Sequence, residues 1–316
     1  GAVSEDGKGL VGDLRLIKDV TDTNLRQNLQ NYLNEQTSYK VSNLAIFMSK
    51  VDVPKREFDT GFATQDETVV KINNEILKEW FNINLSSTLK ISKDEDLGEY
   101  EFAIISDDGS QLLIKEEQDQ NFRTYINSNG VHSAKMLCSN GAGGGPEYLS
   151  FEKGKGIDIQ INYFQGPLNS IALQLLWKKK TAAGTKSSLC NTGIGSVGYG
   201  ELLAAGWSVV PSDIFNLPNG VVNTCLERGE LLESVDFRVT KGKDTNLTGL
   251  IKDVQVSIID VDSGDSQLLV ADDFEISTGR TIGSEVEYTI DFQAPISRDR
   301  DKEIKILFKI RDEEKE

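Results

Sequence analysis

Histidine is nearly absent from the chain: His132 is the only one in 316 residues, alongside three cysteines, two methionines and six prolines. One histidine cannot supply a His pair. Cys138, Cys190 and Cys225 follow none of the spacings that zinc sites use, so zinc is not expected. Basic residues are also scarce, with 34 Lys and Arg against 50 Asp and Glu and a formal net charge of -16. Such a surface lacks the positive field that neutralises phosphates, which argues against a nucleic-acid partner. No run approaches the roughly 20 consecutive apolar residues of a membrane-spanning helix, so no membrane span is expected. The opening Gly1-Ala2-Val3 reads as a processed or engineered start. No Ser or Cys motif accompanies His132, and among 50 acidic residues some pair falls at glycosidase separations by number alone. The chain is therefore not expected to be an enzyme.

What the sequence does contain is alternation. Tyr100, Phe102 and Ile104 recur at every second position, as do Ile157, Ile159, Ile161 and Tyr163, and Ile171, Leu173, Leu175 and Trp177. A period of two marks half-buried antiparallel strands, and the turn dipeptides between them, without intervening long helices, indicate an all-β sandwich or barrel. Leu25, Leu29, Tyr32 and Leu33 form one apolar stripe behind a cap at Asp22 or Thr23, a minor N-terminal helix. Further on, Val286, Tyr288, Ile290 and Phe292 alternate again, with strands expected around 235–239, 254–259, 267–270 and 304–310. This spacing fits a small immunoglobulin-like β-sandwich. The expected organisation is a first sandwich over 1–218, a linker over 219–232 and a second sandwich over 233–316. Segments 139–146 and 178–188 read as loops, and 260–265, lacking the Gly and Glu of a calcium loop, as a hairpin turn. Trp80 and Trp177 are expected in the core.

Three cysteines allow one disulfide with a free thiol, or three structural thiols. Cys138 with Cys190, both in the first domain, is preferred over a pairing that uses Cys225, although spacing does not determine connectivity. The preference goes with an extracellular setting.

The string Ile105-Ser106-Asp107-Asp108-Gly109-Ser110 carries the chemistry of interest. Adjacent carboxylates offer the hard oxygen ligands of Ca²⁺, which takes six to eight at roughly 2.3–2.6 Å. Taken alone, the same string is an ordinary Asp-Gly hairpin turn.

Its surroundings are more specific. Gly9-Leu10-Val11-Gly12, Phe58-Asp59-Thr60-Gly61-Phe62, Glu79-Trp80-Phe81-Asn82-Ile83, the run Leu97–Ser110, Ile161-Asn162-Tyr163-Phe164-Gln165-Gly166-Pro167, Ile171–Trp177 and Trp207–Pro211 follow in order. From about Gly9 to Pro218 the chain resembles the PA-14 family, the β-sandwich of the anthrax protective antigen, yeast flocculins and epithelial adhesins. The resemblance implies that Asp107 and Asp108, joined by a cis peptide, hold one Ca²⁺ at the tip of the sandwich, and that vicinal glycan hydroxyls complete its coordination. It places further ligands in 163–169, with Gln165 first and Asn162 or Asn169 in reserve. Adhesins carry Asn there, whereas this chain has a bacterial-looking Tyr-Phe-Gln-Gly-Pro whose Gln carbonyl reaches one methylene further. Phe164 is the aromatic expected to stack on sugar, the Gly-rich 140–145 segment is expected to add specificity, and His132 is expected on a strand. The function implied is a secreted or cell-surface, calcium-dependent, lectin-like adhesin module whose partners are glycans. The alternative is a non-catalytic structural or protein-interaction module that binds other surface proteins in an extracellular assembly.

Overall fold

The computed structural model describes residues 7–16, 43–64, 68–72, 75–139, 148–166, 170–180, 189–190, 192–193, 199–218, 221–225, 231–240, 253–260, 266–269, 273–282, 285–297 and 304–311. The expected N-terminal helix, the 140–145 segment and Asn169 lie outside these residues. The chain divides into two compact units, Gly1–Pro218 and Asn219–Glu316. Among the described residues no helix is long and apolar enough to cross a membrane.

Unit 1 contains, in chain order, β1 (Leu10–Leu16), β2 (Asn43–Met48), β3 (Asp52–Glu57), the short pair β4 (Lys71–Ile72) and β5 (Glu75–Ile76), β6 (Phe81–Leu89), β7 (Gly98–Asp107), β8 (Ser110–Lys115) and β9 (Arg123–Ser128). There follow β10 (Lys135–Cys138), β11 (Leu149–Phe151), β12 (Ile157–Gln165), β13 (Ser170–Lys179), β14 (Thr192–Gly193), helix α1 (Tyr199–Ala204), β15 (Ser208–Val209) and β16 (Phe215–Asn216). One sheet has the order β2-β1-β6-β12-β8-β9, with β16 also on β6. The other has the order β14-β10-β7-β13-β15, with β11 also on β7 and β3 on β13.

The alternation read from sequence produces this arrangement. Along β12 the odd positions Ile157, Ile159, Ile161 and Tyr163 point inward and are buried, and they meet Phe102, Ile104, Leu173 and Leu175 from the other sheet. Each such side chain contributes roughly 1.5–3 kcal/mol through the water it sheds. In one respect the strands differ from expectation: β7 and β13 are buried on both faces rather than one. Their outer positions, among them Ala103, Ile105, Ala172 and Leu176, pack beneath Leu202 of α1 and the fully buried Trp207. Small Ala side chains leave room for this second layer, which a period of two does not reveal.

A disulfide joins Cys138, at the end of β10, to Cys190, just before β14, the strand that pairs with β10. The bond closes a loop with a sequence separation of 52. Replacing both cysteines by Ser is expected to cost about 4 kcal/mol by freeing the unfolded chain. Urea unfolding checks this, and reduced native protein should match the variant.

In unit 2, β17 (Val221–Cys225), β19 (Asp253–Asp260), β20 (Ser266–Leu269) and β23 (Ile304–Arg311) form a sheet of order β17-β23-β19-β20. The other strands, β18 (Leu231–Thr240), β21 (Phe274–Ile282) and β22 (Glu285–Ser297), form one of order β18-β22-β21. Val235, Phe274, Tyr288, Ile290 and Phe292 of the second sheet and Val256 of the first are buried. The stretch expected as a linker, 219–232, instead supplies β17, which pairs with β23 from Val221↔Lys309 to Cys225↔Lys305. Strand β21 was not expected from sequence either, because its pairing register shifts between Thr278 and Thr281 and breaks the alternation. Residues 261–265, most of the stretch expected as a hairpin turn, lie outside the described residues.

Candidate metal and glycan site

Asp107 ends β7 in one sheet and Ser110 begins β8 in the other, so Asp107-Asp108-Gly109 is an arch between sheets and not a hairpin turn. Two more arches leave the same end of the sandwich: β9 to β10, and β12 to β13. All three converge on the aspartates. The backbone N–H of His132, from the second arch, donates to Asp108 Oδ1 at 3.0 Å, and that of Gly166, from the third, to Asp108 Oδ2 at 2.8 Å. The Ser170 hydroxyl donates to Asp107 Oδ2 at 2.6 Å, and Ser110 and Ser106 bond to each other at 2.8 Å across the first arch. The Asp107–Asp108 peptide bond is cis.

Two side chains fix the arch from below. The Tyr163 hydroxyl donates to the Asp107 carbonyl at 2.6 Å and also reaches Gln165 Oε1. Burial, reinforced by the charges of Asp108 and Asp107, holds the Tyr163 pKa well above the usual phenol range, so it remains a donor. The Phe164 ring lies flush against Gly109, where a Cβ would come within 2.2 Å of it, and the Phe164 N–H bonds the Gly109 carbonyl at 2.9 Å. Glycine is required at 109 because the ring occupies the space of a side chain.

The electrostatics follow from enclosure. Asp107 and Asp108 are 1% and 2% exposed, and no Lys, Arg or His among the described residues comes within ion-pair distance of either. Burial pushes the Asp108 carboxyl up to about 7. The Asp107 charge adds to this, and the Gly166 and His132 N–H groups oppose it. Asp107 is also raised by burial, against hydrogen bonds from Ser170 and Ala134 and the through-space effect of His132 and Lys55.

A hard divalent cation fits this donor set. Two adjacent carboxylates present oxygen only, and an uncompensated buried pair is costly until opposite charge arrives. No third Asp, Glu or His joins them among the described residues, so further ligands would be neutral oxygens. The one three-residue grouping of metal-type donors there is Glu101 with Cys138 and Cys190, whose sulfurs are bonded to each other and offer no thiolate.

The other sequence candidates are placed differently. Phe164 is fully buried under Gly109 and cannot stack on a sugar. Gln165 is fully buried too: its Oε1 is taken by Tyr163 and its Nε2 donates to the Ser170 carbonyl at 3.3 Å, so it braces the third arch rather than facing a ligand. Asn162 lies on the opposite face of β12, across from Asn84 and Gln111, and makes no bond to the aspartates. His132 sits in the second arch, not on a strand, with Nε2 at 2.9 Å from the Ser128 carbonyl and Nδ1 at 3.1 Å from that of Ser133. Trp177 is buried as expected, whereas Trp80 is only half-buried, at φ 57° before β6, with its N–H on the Gln165 carbonyl at 2.9 Å. It keeps partial exposure beside the third arch, as does Phe58, which follows Glu57, the cross-strand partner of Ser170. Tyr163, Ser170 and Gly166 were not singled out from sequence, although the inward series 157, 159, 161, 163 marks Tyr163 as interior.

No family model matches the chain, and no curated protein matches it. Among solved structures it is similar to a PA14 sugar-binding domain from an RTX adhesin, at 14% identity and a TM-score of 0.42, over 67% of this chain and 99% of that one. It is similar to an anti-sigma factor domain-containing protein from Clostridium clariflavum, at 16% identity and a TM-score of 0.35, over 96% and 92%. It is also similar to the epithelial adhesin 6 A domain from Candida glabrata, solved with Galβ1-3GlcNAc, at 15% identity and a TM-score of 0.36, over 57% and 83%.

Proposed function

We propose that unit 1 is a calcium-dependent carbohydrate-binding module of adhesin type, in which Asp107 and Asp108 hold one Ca²⁺ and two hydroxyls of a glycan complete its coordination. The observation that carries this reading is the buried carboxylate pair with no cationic partner among the described residues. An arrangement that spends three arches on enclosing two like charges makes sense when a cation is the missing component. The bound ion would supply positive charge and open coordination sites for vicinal hydroxyls. The chain's own groups do the positioning: Ser170 orients Asp107, the His132 and Gly166 N–H groups orient Asp108, and Tyr163 and Phe164 fix the backbone between them. Trp80 offers the half-exposed aromatic surface beside the third arch. A disulfide within unit 1 supports an extracellular or cell-surface setting, where calcium at about 10⁻⁴–10⁻³ M suffices for modules of this class.

The test is calorimetric titration of Ca²⁺ into chelator-treated protein, beside an Asp107→Asn, Asp108→Asn double variant. Saturable binding by the native chain, a rise in Tm with calcium, and loss of both in the variant are expected. A glycan array in calcium and in chelator then reads the second half of the proposal. No binding up to several millimolar calcium would overturn it and leave a structural surface module.

A further inference from the structure

The disulfide of unit 1 has a carboxylate beside it. Glu101 lies on the outer face of β7, two positions from Ala103, and Ala103 is the cross-strand partner of Cys138. Glu101 and Cys138 therefore share a face. Glu101 is buried, and its Oε1 lies 3.9 Å from Cys190 Sγ. A carboxylate oxygen and the two sulfurs all fall within 4.8 Å of one another. Asp107 is six residues further along β7, roughly 20 Å of strand, so the cluster is separate from the calcium site proposed above.

A bonded sulfur carries no proton to donate, so the disulfide gives Glu101 nothing to bind. The reduced pair does. Cys138 and Cys190 are made as thiols, and they become a disulfide by exchange with another disulfide, which takes up both electrons and both protons and leaves as two thiols. Before that exchange the cluster offers two sulfurs and one carboxylate, the donors Zn²⁺ takes at about 2.3 Å and 2.0–2.2 Å, so that tetrahedral neighbours stand roughly 3.5–3.8 Å apart. The 3.9 Å between Glu101 Oε1 and Cys190 Sγ is already close to that spacing. Once the bond between them is gone, the sulfurs reach it by rotation about Cα–Cβ, with the Cα atoms held 5.4 Å apart.

Charge and access agree with this occupant. Two thiolates and a carboxylate around a dication leave one negative charge, and half-buried Lys178, the cross-strand partner of Glu101, offsets it. Cys190 is itself half-buried, which leaves the cluster open to solvent on that side. We infer that in its reduced, dithiol state unit 1 binds one Zn²⁺ through Cys138, Cys190 and Glu101, with water in the fourth position, and that formation of the disulfide releases the ion together with its site. The metal then does for the reduced chain what the disulfide does for the oxidised one. It ties β10 to the segment before β14 and keeps both sulfurs from Cys225, the third cysteine of the chain.

The experiment compares the full chain oxidised and reduced, in a Cys225→Ser background, with Co²⁺ and Zn²⁺ as probes. A phosphine serves as reductant: it takes the oxygen of one water, becomes the phosphine oxide and leaves two cysteine thiols with no competing thiol. The reduced chain is expected to bind one Co²⁺ with a thiolate-to-metal charge-transfer band, to surrender it to Zn²⁺, and to melt higher with Zn²⁺ than without. The oxidised chain should show no band. Glu101→Gln, which keeps the shape of the side chain, should weaken zinc binding about tenfold or more. Asp107→Asn, Asp108→Asn should leave it unchanged, so failure of the calcium titration does not bear on this site. Three results would each overturn the inference: no band in the reduced chain, a band without a rise in Tm, which marks thiols of the unfolded chain, or zinc affinity indifferent to Glu101→Gln.

Discussion

In chelator, the protein is expected to lose about 4 kcal/mol of stability from Asp108 alone as pH rises from about 4 to 7. The folded-state carboxyl is pushed up to about 7 from an ordinary value of 3.8, so between these values the folded chain holds a proton that the unfolded chain has released. This contribution is fully present below pH 4 and disappears as pH passes through 7. Asp107, raised in the same direction, adds to it. Calcium bound as proposed would favour the ionised pair, so its effect would have the opposite sign. The gap in unfolding free energy between calcium-saturated and chelated protein widens with pH, by up to about 1.4 kcal/mol per unit for each proton displaced. Urea unfolding of the full chain at intervals from pH 4 to 8, with and without calcium, reads that gap. Parallel curves would mean that no cation binds the pair.

Phe164→Ala is expected to cost about 3–5 kcal/mol and to abolish measurable calcium binding. The ring is fully buried and fills the space beneath Gly109, so truncation leaves a cavity directly under the arch that carries both aspartates. The two losses should appear together, because one contact supports both packing and site geometry. Phe164→Leu, which keeps much of the volume, should lose less of each. A ring exposed for sugar stacking would behave differently, with stability and calcium affinity intact and only glycan binding lost. Urea unfolding and calcium calorimetry on the two variants separate these cases.

Much of this architecture was legible in residue alternation, and the points that were not have definite causes. The series Ile157, Ile159, Ile161, Tyr163 gives β12 and its inward face, and extending it by one step places Gln165 inside, where the structure has it. Residue type alone marks Gln165 as a ligand, whereas its parity marks it as interior. Phe164 has the outward parity and is nonetheless buried, because Gly109 folds over it, a contact between segments 55 residues apart that no local pattern encodes. The Asp-Asp-Gly string reads identically as a hairpin or an inter-sheet arch, since the dipeptide sets the turn but not which sheet the next strand joins. The second layer on β7 and β13 has no local signal, because Ala103 and Ala172 are neutral positions in the pattern and only the tertiary fold brings Trp207 against them.

Convergence of three arches on two side chains also divides responsibility within the tip. The groups that hold the carboxylates are strand-end residues and backbone N–H groups: Tyr163, Phe164, Ser170, and the amides of His132 and Gly166. A backbone amide donates whatever side chain its residue carries, apart from proline. The exposed arch positions, such as Val131 at 44% exposure, can therefore change identity while the anchoring atoms stay in place. Under the proposed function, diversification of what such a tip recognises would proceed by substitutions that leave both carboxylates where they are.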